Sequence, residues 1–127
     1  MQAMDSFNNL YREEILEHYR SPLNFGKLSF FDTTSRQLNP FCGDEIEIYV
    51  KFQRGKDSKV QSISFKGKGC AISMAAGSIL TEFTKGKTKK ELTNFLEEDM
   101  LSLLGVSVSE TRKKCALLAH SVLQDCI

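Results

Sequence analysis

Between Glu45 and Phe65 the chain alternates twice, and that rhythm limits what it can fold into. Ile46, Ile48, Val50 and Phe52 fall on one face of an extended segment; Glu45, Glu47, Tyr49 and Lys51 fall on the other. A side-chain period of two is that of a half-buried strand. Arg54-Gly55-Lys56-Asp57 then turns the chain. Val60 to Phe65 alternates again, with Ile63 and Phe65 in phase, and Ser35 to Leu38 precedes as a short strand ended by Asn39-Pro40. Three successive strands with short connections predict an antiparallel meander, one face wet and one face covered.

The cover reads as helical. Asp5 or Ser6 caps a first helix to about Tyr19, with Phe7, Leu10, Tyr11, Ile15, His18 and Tyr19 on one face. His18 reads as a helix-face histidine packing beside Tyr19 and bonded to backbone or water. Pro22 to Ser35 is turn-rich, and Phe25, Phe30 and Phe31 are expected over the sheet edge or core. Cys70 to Phe83 reads as a buried helix, with Gly77 allowing close approach and Gly86 ending it. Thr88, with Glu91 at the reciprocal capping position, opens a short helix covering Leu92, Phe95 and Leu96. Met100 to Val108 reads as a helical turn and loop around Gly105. Ser109 caps a last helix from Glu110 to about Gln124. Its stripe is Cys115, Leu118, Ala119 and Val122, widened by Leu117, Ser121 and Leu123. The expected fold is therefore one two-layer α+β domain, a three-stranded antiparallel sheet packed against helices, spanning residues 1–127.

Composition excludes several classes of function. The formal net charge is +1 with no basic stripe, which argues against a nucleic-acid partner. No run approaches the roughly 18 apolar residues of a membrane span. The N-terminal stretch has no apolar run of the secretory kind, so the expected location is the cytoplasm. Lys66-Gly67-Lys68-Gly69 lacks the spacing of a phosphate loop. Glu97-Glu98-Asp99 reads as a solvated acidic patch.

The chemistry lies in the cysteines. Asn39-Pro40-Phe41-Cys42-Gly43-Asp44 puts a thiol and a carboxylate two residues apart on a turn. Cys70 opens a helix, where free amides and the helix dipole favour a thiolate. Cys115 follows Arg112, Lys113 and Lys114, cations that also favour a thiolate. Cys42, Asp44, Cys70 and Cys115 are expected to meet at one site, and three sulfurs with one oxygen suit zinc or an iron–sulfur cluster. The competing reading makes Cys70 and Cys115 ordinary core residues and Cys42 incidental. A disulfide framework is disfavoured in a chain whose core needs no staples. Cys126 reads as minor, near a frayed end, and His120 as a core or surface histidine.

The residues carry a resemblance. Asn39 to Asp44 matches the NPxCGD motif of the IscU/SufU family of iron–sulfur cluster assembly proteins. Gly67-Lys68-Gly69-Cys70-Ala71-Ile72-Ser73 matches its GxGCAIS motif, Arg112 to Leu118 resembles its third cysteine segment, and Leu16 to Gly26 resembles its HYxxPxNxG segment. The resemblance implies an α+β fold, a persulfide-accepting cysteine and a cysteine desulfurase partner, with apo iron–sulfur proteins as acceptors. It implies a transient [2Fe-2S] cluster, or Zn2+, held by Cys42, Asp44, Cys70 and Cys115. Cys42 is the sulfur acceptor by likeness to the zinc-relay branch, and Cys115 by likeness to the scaffold branch. Arg112 and Lys114 are the auxiliary basic residues. Two features pull apart. Lys114 stands where the scaffold branch has histidine, as in the zinc-relay branch. Yet only 44 residues separate Cys70 from Cys115, leaving no room for the insertion that branch carries there.

Overall fold

The computed structural model describes residues 12–40 and 42–127. Three strands, β1 (Thr33–Asn39), β2 (Asp44–Phe52) and β3 (Val60–Lys68), form one antiparallel sheet in the order β1-β2-β3. Helix α1 covers residues 12–20 of the described part. Four more follow the sheet: α2 (Ala71–Thr84), α3 (Lys89–Thr93), α4 (Glu97–Leu104) and α5 (Glu110–Asp125). The expected two-layer α+β architecture is the one observed. The expected cap at Asp5 or Ser6, with Phe7, Leu10 and Tyr11, lies outside the described residues. Among the described residues no helix is long and apolar enough to cross a membrane.

The alternation in β2 and β3 does the packing. Ile46, Ile48, Val50, Ile63 and Phe65 are buried under α2 and α5, which bring Met74, Ala75, Leu80, Ala119, Val122 and Leu123 to the same core. α2 lies close on the sheet because Gly77 meets Phe65. A Cβ there would fall 2.6 Å from the Phe65 ring. Filling that contact overpacks the core at a cost of about 1–3 kcal/mol.

Five expectations need correction. The third strand does not stop at Phe65: Lys66 to Lys68 continue β3, paired with Glu47, Ile46 and Glu45. Tyr49, assigned to the wet face, is only 4% exposed. Residues 24–26 run along the free edge of β3 through Gly26 N–H to Phe65 O and Phe65 N–H to Asn24 O. The chain then reaches β2, where the Asp32 amide donates to Val50 O and the Phe31 ring packs edge-on at 5.1 Å over Tyr49. Phe25 and Phe31 thus cover the sheet as expected, but Phe30 is 78% exposed. Leu96 and Ser121 face solvent rather than the core; the Ser121 hydroxyl donates to Gln37 Oε1. Cys126 is not frayed but belongs to the core, its thiol 3.9 Å from Ile48 O.

The helix ends follow their sequence signals. Thr88 and Glu91 form both bonds of the expected capping box, and Ser109 Oγ accepts from the Arg112 amide. Glu97, Glu98 and Asp99 are exposed, but they also form the first turn of α4, where acidic groups complement the helix dipole. Asp99 accepts from the Leu96 amide at 2.8 Å.

Candidate metal and sulfur-transfer site

The site forms where three element ends converge. The turn from β1 to β2 carries Cys42, and Asp44 is the first residue of β2, paired with Asn39. Cys70 is the N-cap of α2, and Cys115 lies in the second turn of α5. Cys42 Sγ donates to Asp44 Oδ2 at 2.9 Å and stands 3.2 Å from Cys115 Sγ. Donor atoms of Cys42, Asp44 and Cys115 all lie within 4.8 Å of one another. Cys70 is at the rim of this group: its sulfur is 3.7 Å from Asp44 Oδ2 and 3.8 Å from Ser73 Oγ. All four cysteines of the chain are free thiols.

Asp44 is the fixed point. It is fully buried, and its two oxygens have different work. Oδ1 accepts from the Cys70 amide at 2.9 Å, capping α2 from a residue 26 positions away, while Oδ2 faces the thiols. Burial pushes the carboxyl up, but hydrogen bonds from the Cys42 thiol, the Cys70 amide and the other two thiols outweigh it. The result is a carboxyl held below its ordinary range and ionised at neutral pH.

Cys115 departs from the expectation that its basic neighbours favour the thiolate. Burial first, then hydrogen bonds to Cys42 and Asp44 and the charge of Cys70, push its thiol far above the usual range. Arg112 and Lys114 sit on opposite flanks instead. Arg112 lines a cleft of about 600 Å³ with Ile72 and Val108, and Lys114 lines one of about 310 Å³ with Asn39 and Pro40. A bound divalent cation reverses the logic for the thiols, because a coordinating thiol is deprotonated outright.

The donor set fits a soft or borderline cation. With metal–sulfur bonds near 2.3 Å, a tetrahedral centre sets its sulfurs about 3.8 Å apart, so Cys42 and Cys115 need only open by roughly half an ångström. Neither histidine competes. His120 is buried with Nε2 2.7 Å from Phe95 O, and His18 Nδ1 is 2.7 Å from Ser78 Oγ, which also accepts from the Leu23 amide. His18 therefore ties the segment after α1 to α2.

The sequence reading missed Gly69 and Ser73. The hydroxyl of Ser73 donates to Cys70 O, and Gly69 packs directly against Asp44. The glycine run before Cys70 was the available signal.

Comparison with known proteins agrees with this geometry. Residues 10–127 match the NifU-like N terminal domain. The chain is 32% identical over 118 positions to the iron–sulfur cluster assembly scaffold protein IscU 1 of Archaeoglobus fulgidus, covering 93% of this chain and 74% of that protein. It is also 32% identical to the zinc-dependent sulfurtransferase SufU of Bacillus subtilis, covering 94% and 90%. That alignment runs to 137 positions, more than the 127 residues present here, so the relative carries segments this chain lacks. Among solved structures it superposes on a SUF-system scaffold protein from Fervidobacterium islandicum with a TM-score of 0.71 at 28% identity, covering 90% and 93%. The fold and the cysteine–aspartate site define a NifU-type domain. The chain belongs to the IscU/SufU family of iron–sulfur cluster assembly scaffold proteins.

Proposed function

We propose that the protein accepts sulfane sulfur from a cysteine desulfurase and assembles a nascent [2Fe-2S] cluster on Cys42, Asp44, Cys70 and Cys115, for transfer to apo iron–sulfur proteins. The observation that carries this reading is the meeting of Cys42, Asp44 and Cys115, with the Cys70 sulfur at its rim. Free thiols of this kind suit a reducing compartment such as the cytoplasm.

Cys42 is the first acceptor because it is exposed while Cys115 is buried. Its thiolate attacks the outer sulfur of the desulfurase persulfide. A new sulfur–sulfur bond forms on Cys42, the donor's bond breaks, and the released desulfurase thiolate takes up the proton that Cys42 gave. No oxidant is consumed. Two sulfane sulfurs take four electrons to become the two sulfides of a [2Fe-2S] cluster: two come from the two ferrous ions, which become ferric, and two from an added thiol reductant. Three thiolates and a carboxylate carry four negative charges, and Arg112 and Lys114 on the flanks offset what bound cations leave.

A second reading is a zinc-dependent persulfide relay using the same four residues. Lys114 beside Cys115 favours it; the 44 residues between Cys70 and Cys115, with no insertion, favour the scaffold. Anaerobic incubation with a desulfurase, cysteine, ferrous iron and a thiol reductant, followed by iron, zinc, acid-labile sulfide and visible-spectrum analysis, separates them. The scaffold reading expects iron and sulfide in about equal amounts with cluster absorption. Zinc without cluster absorption, with persulfide on Cys42 in a parallel incubation that omits the reductant, selects the relay. No metal and no persulfide on any cysteine overturns both.

A further inference from the structure

We propose that Gly69 is a positioning residue of this site: its missing side chain is the seat that lets Asp44 lie against the start of α2 and present one oxygen to the sulfurs. The inference rests on the reading of Cys42, Asp44, Cys70 and Cys115 as a metal site. The strand register supplies the juxtaposition. Glu45 pairs with Lys68 in the antiparallel β2–β3 ladder, so Asp44 and Gly69 stand opposite each other one rung further on. Side chains at opposed positions come within about 5 Å of each other at Cβ, so anything at position 69 shares space with Asp44.

The space is already taken. A Cβ on Gly69 would collide with Asp44 Oδ1, fall 2.8 Å from Asp44 Cγ and come within 2.6 Å of Ser73 Oγ. The serine hydroxyl can rotate away; the carboxylate cannot. Asp44 has its backbone paired to Asn39, its side chain fully buried, and Oδ1 on the Cys70 amide. Displacing it breaks that bond and withdraws Oδ2 from the thiols. With Oδ1 occupied by the amide, Asp44 serves as a one-oxygen ligand, and Gly69 enforces this by allowing the close approach. A substituted position 69 leaves three thiolates and an open fourth position, the same site that loss of Asp44 leaves.

Gly69 also has a φ of +157°, which L side chains rarely adopt, so a loss in Gly69→Ala alone does not isolate this role. A double-mutant cycle does, because backbone strain acts whether or not Asp44 is present. The wild type, Asp44→Ala, Gly69→Ala and the double variant are compared by zinc competition titration, by the thiolate-to-cobalt absorption of the Co(II) forms, and by hydrogen exchange of the Cys70 amide in the metal-free proteins. Gly69→Ala is expected to lower zinc affinity by about 10–100-fold, the range for a residue that orients a ligand. The double variant should bind no more weakly than Asp44→Ala. Thiolate-to-cobalt absorption should persist in all four, and Cys70 amide exchange should quicken to one common rate in the three variants. An equal loss from Gly69→Ala in both backgrounds, or a still-protected Cys70 amide in Gly69→Ala, overturns the proposal. If Gly69→Ala does not fold, rescue of folding by Asp44→Ala supports it, and equal failure of the double variant overturns it. A wild type that binds neither zinc nor cobalt removes the metal reading, and the amide-exchange comparison then decides the role of Gly69 on its own.

Discussion

Helix α5 carries a cysteine at each end, and the two have little in common beyond burial. Cys115 and Cys126 are both 5% exposed and about 16 Å apart along the helix. In both, burial is the leading cause of a raised thiol pKa. Cys126 faces Ile48 O and the apolar core, and its thiol is pushed up to about 11 despite a hydrogen bond with the Thr33 hydroxyl. Cys115 faces a second thiol at 3.2 Å and an ionised carboxylate. Burial alone thus makes a small core side chain. What makes a site is the polar company brought by the β1–β2 turn and the start of α2.

The largest effect that could break this contrast is on metal binding. Cys115→Ala is expected to lower zinc affinity by more than about 100-fold, beyond what residues that merely orient a ligand contribute. Cys126→Ala should leave affinity unchanged. Competition titration against a chelator reads both, and equal affinity in the two variants would erase the distinction.

Next in size is stability. Cys126→Ala should destabilise the protein by about 1–2 kcal/mol in urea, as a small buried deletion does. It should also change the alkaline limb. The raised thiol of Cys126 stabilises the fold fully below its unfolded pKa near 9, and this is lost as pH rises through about 11. Metal-free wild type should therefore lose stability across that window more steeply than Cys126→Ala. Parallel curves would place Cys126 in solvent.

For Asp44, beside Cys115, the sign reverses. The lowered carboxyl of Asp44 stabilises the metal-free fold above its unfolded pKa near 4 and stops doing so as pH falls through the folded value. Asp44→Asn should flatten the acid limb below about pH 4. An unchanged acid limb would mean that the bonds to Oδ1 and Oδ2 are not made. The smallest expected change is Lys114→His, which adds a ligand type on an exposed position. It should lengthen the lifetime of an assembled cluster, read from the decay of its visible absorption, and leave the zinc content of the four-residue site unaltered. A shorter lifetime would argue that Lys114 stabilises the site by charge.

Much of this was legible because it is local. Ile46, Ile48, Val50, Ile63 and Phe65 announce two strands by period alone, and Thr88 with Glu91 announces a helix start. Cys42 and Asp44 declare themselves by proximity in sequence. What stayed hidden depends on pairing between distant residues. Lys66 to Lys68 carries no apolar rhythm, and only its partners Glu45 to Glu47 make it a strand. Tyr49 looks solvent-facing until Phe31 is laid over it from 18 residues upstream. The basic run before Cys115 predicted a favoured thiolate, but burial dominates. Nor could spacing show that the Asp44 carboxylate caps α2, because that bond exists only once β2 and β3 are in register.

The central claim is that four residues from three element ends hold one centre. X-ray absorption at the zinc edge of the zinc-loaded protein tests it most directly. Three sulfur neighbours near 2.3 Å and one oxygen near 2.0–2.2 Å are expected. A shell of nitrogen and oxygen, or one that keeps three sulfurs after Cys70→Ser, would contradict it.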